Sequence, residues 1–135
     1  MITRTGTHAL KAMAYLAGLP LGAYEGAGEI AARIKAPRNY LGKLLRQLAR
    51  AGLLEGRKGS TGGFRLARDM RKISLFEVLE PIEHVSRIKG CVLGRTQCTQ
   101  KDHCALHDGW ARIRSDYLEF LHSTSLSEAA RPGSS

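Results

Sequence analysis

Tyr40, Leu41, Leu44, Leu45 and Leu48 recur three and four residues apart between Pro37 and Gly52. That spacing lines one face of an α-helix. Pro37 suits the first turn, and Gly52 suits the left-handed position just past the end. The pattern predicts a helix from about Arg38 to Ala51. Its opposite face carries Arg38, Asn39, Lys43, Arg46, Gln47 and Arg50. Such a helix buries one side in a small apolar body and leaves the other, strongly basic, in water.

Two shorter helices precede it. Ala9, Leu10, Met13, Ala14, Leu16 and Ala17 predict one over Thr7 to Ala17, stopped by Gly18 and Pro20. Glu29 to Ile34 predicts a second, with Ile30, Ala31 and Ile34 inward. Ala36-Pro37 then breaks the chain, because a residue before proline avoids helical angles. Two helices split by a tight turn, the second with a polar outer face, form a helix-turn-helix.

A hairpin follows. Leu53-Leu54-Glu55-Gly56 and Phe64-Arg65-Leu66-Ala67 flank the glycine-rich, basic tip Arg57-Lys58-Gly59-Ser60-Thr61-Gly62-Gly63. This is the wing of a winged helix-turn-helix, and the predicted class is mainly α with one small β-hairpin. Ser74 caps a further short helix, Leu75 to Leu79, ending at Pro81. After Cys104 a long helix runs to about Leu121. Its seam of Leu106, Trp110, Ile113, Tyr117 and Phe120 suits packing against another helix. The expected organisation is a DNA-binding domain at 1–83, a cysteine-rich loop at 84–104, a long helix at 105–126 and a disordered tail at 127–135.

Charge points to the partner. The chain of 135 residues carries a net charge of +9. Residues 1–75 hold 14 Lys/Arg against 4 Asp/Glu, whereas residues 76–135 hold 7 against 8. The excess belongs entirely to the winged part, so a polyanion, double-stranded DNA, is the expected partner. The helix fits the major groove, where Arg38, Asn39 and Lys43 reach base edges. Arg46 and Arg50 suit phosphate contact or plain surface, and Tyr40 suits core or phosphate contact. Arg57 and Lys58 in the wing suit the backbone or the minor groove.

All three cysteines, Cys91, Cys98 and Cys104, fall within fourteen positions, and His107 follows. Soft ligands gathered in one loop point to a metal or iron–sulfur site. No C-x2–4-C pair of the zinc-ribbon kind occurs. The longer gaps suit a cluster, with zinc or unligated thiols as alternatives. Cys104 and His107 are three apart at a helix start and share a face. His103, Asp108 and His8 are reserve ligands, while His84 and His122 are expected bystanders. An odd cysteine count opposes a closed disulfide framework. No signal peptide or membrane-spanning run is expected, so the expected compartment is cytoplasmic. No Cys-x-x-Cys, activated nucleophile or phosphate-binding loop points to an enzyme.

The run Ala9-Leu10-Lys11-Ala12-Met13, the segment from Tyr40-Leu41 to Leu53, the wing ending Gly62-Gly63-Phe64-Arg65-Leu66-Ala67, and the three-cysteine loop together resemble the IscR/NsrR (Rrf-type) family of winged-helix transcription regulators. The similarity covers nearly the whole chain. It implies a homodimer joined through the long last helix and reading the two half-sites of a palindromic operator, with repression the expected effect. It also implies an iron–sulfur cluster on Cys91, Cys98 and Cys104 that senses redox state, iron or nitric oxide. His107 matches the place of the histidine ligand in one branch. The other branch uses an acid near the start of the first helix, where this chain has Thr7 and His8. That departure favours His107 and a [2Fe-2S] over a [4Fe-4S] cluster. Two further departures are a first cysteine gap one residue longer than usual and Gly42 in place of a base-reading acid.

Overall fold

The computed structural model describes residues 2–88 and 105–130. Six helices and one hairpin are ordered α1 (Arg4–Ala17), α2 (Ala27–Ile34), α3 (Arg38–Arg50), β1 (Leu54–Arg57), β2 (Gly63–Leu66), α4 (Leu75–Glu83), α5 (His107–Ser123) and α6 (Leu126–Ala129). Two 3₁₀ turns, Met70–Lys72 and Val85–Arg87, flank α4. The mainly helical winged class expected from the pattern is the one observed.

Helix α1 begins at Arg4, three residues before the predicted start at Thr7. The Thr3 hydroxyl accepts from the Gly6 amide at 3.1 Å and caps it. Glu83, closing α4, accepts from the Thr3 amide and hydroxyl at 2.8 and 2.5 Å. A carboxylate there also offsets the positive end of the helix dipole. Gly6 is buried beneath it, and a Cβ at that position would stand 1.9 Å from Glu83 Oε1.

Helix α2 closes on Lys35, which takes the left-handed conformation (φ 59°), and Pro37 then leads into α3. The α3 stripe is buried as its spacing requires: Leu41, Leu44, Leu45 and Leu48 are all at most 2% exposed. They pack with Ala9, Ala12, Met13, Ile30, Leu53, Leu54, Ile73 and Val78 into the main core.

The hairpin pairs Leu54 with Leu66 and Arg57 with Gly63. A third segment joins it, because Glu25 and Phe64 exchange both backbone hydrogen bonds at 2.9 and 2.8 Å. Gly63 makes that approach possible: its φ is +136°, and a Cβ there would lie 2.2 Å from the Glu25 carbonyl oxygen.

The C-terminal part departs from expectation in two ways. Helix α4 does not stop at Pro81 but runs through it to Glu83, where His84 turns left-handed (φ 52°). Helix α5 spans 107–123, within the expected 105–126. The tail, expected to be disordered from 127, is helical to Ala129. Ser125 and Glu128 form a reciprocal capping box, and Leu126 is fully buried in the main core. Thr124 and Leu126 also bond the backbone of Leu75 and Ile73, at 2.9 and 2.7 Å. A four-residue helix has no standing alone; these contacts hold it. Residues 131–135 lie outside the described residues.

A second, smaller cluster of Leu75, Leu79, Val85 and Leu121 joins α4 to α5. Leu121 is the one buried residue of α5. The rest of that helix is largely exposed to solvent.

Candidate nucleic-acid interface

Burying the leucine stripe turns the other side of α3 outward. Arg38, Asn39, Lys43, Arg46, Gln47 and Arg50 are all exposed. Gly42 lies in the same turn and is buried, with Arg46 Nη1 3.6 Å from where a Cβ would be. Arg38 folds back over the start of α2, its Nε 3.1 Å from a Cβ position on Gly28. Tyr40 is half-buried, and its hydroxyl meets His8 Nδ1 at 3.0 Å.

The wing stands beside this helix. A cleft of about 470 Å³ separates them, lined by the start of α2, Arg38 and the glycine-rich tip at Gly59, Ser60, Gly62 and Gly63. Lys58 is exposed at the tip. Arg57 behaves differently. Its Nη2 donates to the Thr61 carbonyl at 2.7 Å, and its guanidinium lies 4.2 Å from the Tyr24 ring centroid. Arg65 reaches the same ring at 4.5 Å and pairs with Glu55 at 2.7 Å. The hydrogen bond to Glu55 holds the Arg65 guanidinium above its usual pKa. Of the two wing cations expected to meet DNA, one is engaged within the wing and one is free to reach outward.

Tyr24 and Arg65 were not singled out from sequence. One lies in the α1–α2 loop and the other on β2, and no local spacing announces a ring held by two guanidinium groups. His8 was seen as a reserve metal ligand; the structure gives it Tyr40 instead.

Cys91, Cys98, Cys104 and His103 lie outside the described residues. His107 opens α5 and is half-buried, with the exposed Asp108 beside it in the first turn. Among the described residues, no group of three or more His, Cys, Asp or Glu side chains could hold a metal. Four of the expected ligands are thus represented by His107 alone. His84 ends α4, and His122 stacks on Phe76 with centroids 3.9 Å apart.

The expected seam of α5 divides. Leu106, Ile113 and Phe120 stand out, 49%, 54% and 51% exposed. Tyr117 turns inward against the smaller core, and its hydroxyl is buried with no hydrogen-bond partner among the described residues. Burial, and then the nearby Glu83 carboxylate, raise its pKa above the usual phenol value. No described helix is long and apolar enough to cross a membrane.

Comparison with known proteins matches this geometry. The Rrf2 family model, described as an iron-dependent transcriptional regulator, matches residues 2–132. A chain of Aquifex aeolicus (strain VF5), named as an HTH-type transcriptional regulator, is 30% identical over 126 residues, covering 92% of this chain and 87% of that one. The solved structure of CymR (YrzC), the global cysteine regulator of B. subtilis, superposes with a TM-score of 0.78 at 25% identity, over 96% of this chain and 95% of that chain. IscR of T. potens shares the fold, with a TM-score of 0.76 at 23% identity over 95% and 84% of the two chains. A winged helix-turn-helix with a basic recognition face, matched from end to end by this model and these relatives, makes the chain a transcriptional regulator of the Rrf2 family.

Proposed function

We propose that this regulator binds a palindromic operator as a homodimer, as a repressor, and that an iron–sulfur cluster sets its grip. The carrying observation is the exposed cationic face of α3 beside the basic wing, with the leucines of the opposite face of α3 buried in the core. Arg38, Asn39 and Lys43, on the first two turns of α3, would reach base edges in the major groove. Arg46 and Lys58 would neutralise phosphates. Tyr40 would act mainly by fixing α3 against α1. Arg57 would hold the wing loop.

Dimerisation would use the outward face of α5. Three large apolar side chains exposed on one helix are costly in water, and a second copy would cover them. Helix α5 starts just after the cysteine segment and leads through Thr124 and Ser125 into α6, whose Leu126 is anchored in the winged-helix core. A change at its start would therefore be felt at both DNA-reading heads.

Cys91, Cys98, Cys104 and His107 would hold the cluster, and three thiolates with one imidazole are a donor set that suits it. When bound, a [2Fe-2S] or [4Fe-4S] group would supply redox-responsive iron, and its loss or oxidation would release these ligands. The chain's own part is to join that segment directly to α5.

Anaerobic purification with iron analysis, absorbance and Mössbauer spectra, followed by operator binding of holo and apo protein at stated salt, tests this reading. Iron-loaded protein is expected to differ from apo protein in affinity by fivefold or more, about 1 kcal/mol of coupling. Iron-free protein from such a preparation would remove the cluster, and equal affinity of the two forms would remove its control of DNA binding. Bound zinc, or binding that follows thiol oxidation alone, would assign the loop to zinc or to bare thiols.

A further inference from the structure

Tyr24 lies in the loop between α1 and α2, far along the chain from the wing. Its neighbour Glu25 is held to Phe64 by two backbone hydrogen bonds, which places the Tyr24 ring against the hairpin. In the register of the strands, Glu55 faces Arg65 and Arg57 faces Gly63. Glu55, Arg57 and Arg65 therefore project from one face of the hairpin. Both arginines of that face reach the ring, at 4.2 and 4.5 Å. Each is also tied elsewhere: Arg57 to the Thr61 carbonyl at 2.7 Å, and Arg65 to Glu55 at 2.7 Å and the Gly22 carbonyl at 3.3 Å. The first bond spans the wing loop from its entry almost to its exit. The last ties the wing to the α1–α2 loop.

The geometry points to Tyr24 as a positioning residue of the wing. Its ring holds Arg57 and Arg65 by cation–π contact, so the loop 58–62 keeps one posture and presents Lys58, the sole cation of those five positions, to the duplex backbone. Arg57 is then an internal brace, and its charge is not spent on phosphate. The inference rests on the DNA-binding reading and assigns the wing cations separate tasks within it.

The test measures anisotropy of a duplex selected by the wild-type protein from a random-sequence pool, over a series of salt concentrations. It is paired with the rate of trypsin cleavage after Lys58 in free protein and with thermal midpoints. Tyr24→Leu is expected to bind roughly three- to tenfold more weakly, with the salt slope unchanged and cleavage faster. Tyr24→Phe keeps the ring face and is expected to match wild type in both. Arg57→Ala is expected to resemble Tyr24→Leu, whereas Lys58→Ala lowers the slope by about 1. A thermal midpoint near that of wild type in Tyr24→Phe and Arg57→Ala keeps wing posture separable from loss of the fold.

Wild-type affinity and cleavage in Tyr24→Leu would overturn the inference. So would an Arg57→Ala variant whose slope falls by about one, because that charge would then be meeting a phosphate. A wild-type protein that selects no duplex would overturn the DNA-binding reading beneath it. In that event the cleavage rate of Tyr24→Leu would still decide whether the ring holds the wing.

Discussion

The Tyr40 hydroxyl lies 3.0 Å from Nδ1 of His8, and the two rings meet edge to face with centroids 5.5 Å apart. One residue belongs to α3 and the other to α1, so the pair joins α3 to the scaffold near its leading end. A side-chain hydrogen bond of this kind contributes about 0.5–1.5 kcal/mol net. Tyr40→Phe is expected to lower stability by about 1 kcal/mol in urea unfolding. His8→Ala combined with Tyr40→Phe should cost less than the sum of the two, since they share one bond. Strict additivity would show that the pair carries no coupling.

Leu126 anchors the short α6 in the main core with no exposure. Leu126→Ala removes a fully buried side chain and is expected to destabilise the protein by about 2–5 kcal/mol. Chemical denaturation measures it directly. A loss below about 0.5 kcal/mol, the usual size at an exposed position, would mean that the C-terminal segment is not docked in solution.

Ile113 and Phe120 stand seven residues apart on the outward face of α5, each about half exposed. Replacing both with Asp puts charge where a second copy would bury apolar surface. Light scattering after size exclusion is expected to show the wild type as a dimer and the double variant as a folded monomer with weakened operator binding. A monomeric wild type would detach this face from self-association.

Asp69 caps the 3₁₀ turn Met70–Lys72 and accepts from Arg71 three times, from the amide at 2.9 Å and from the guanidinium at 3.2 and 2.8 Å. The Arg71 side chain is the main cause, and the Arg71 amide the next, of a carboxyl pKa lowered from 3.8 to about 2. A carboxyl with a lower pKa folded than unfolded stabilises the fold above the unfolded value. That contribution is lost as pH falls through the folded one. The effect of Asp69 is therefore complete above about pH 4 and vanishes towards about pH 2. Titration of its side chain by NMR should place the midpoint near the lower value, and Asp69→Asn should flatten this limb of the stability profile. A midpoint close to 3.8 would dissolve the pairing.

The start of α1 shows where local pattern stops being informative. Leu41 to Leu48 announce α3 because helical periodicity is written within one segment, and burial needs only a partner surface of matching apolarity. The hairpin is announced equally well by glycines between two apolar runs. The start of α1 is not, because the Thr3 cap and a distant carboxylate extend the helix past its apolar stripe. Glu83 over Gly6 is such a case.

The order of these residues by itself determined the winged helix-turn-helix, the cationic face of α3 and the gathering of soft ligands between 91 and 107, because each depends on composition and spacing within a few turns of chain. Tertiary structure alone decided that Arg57 braces the wing through Tyr24, that Tyr40 meets His8, and that Leu126 draws the tail into the core. Those pairings join residues distant along the chain. Their free energy is realised only once the fold has met the entropic cost of bringing the segments together.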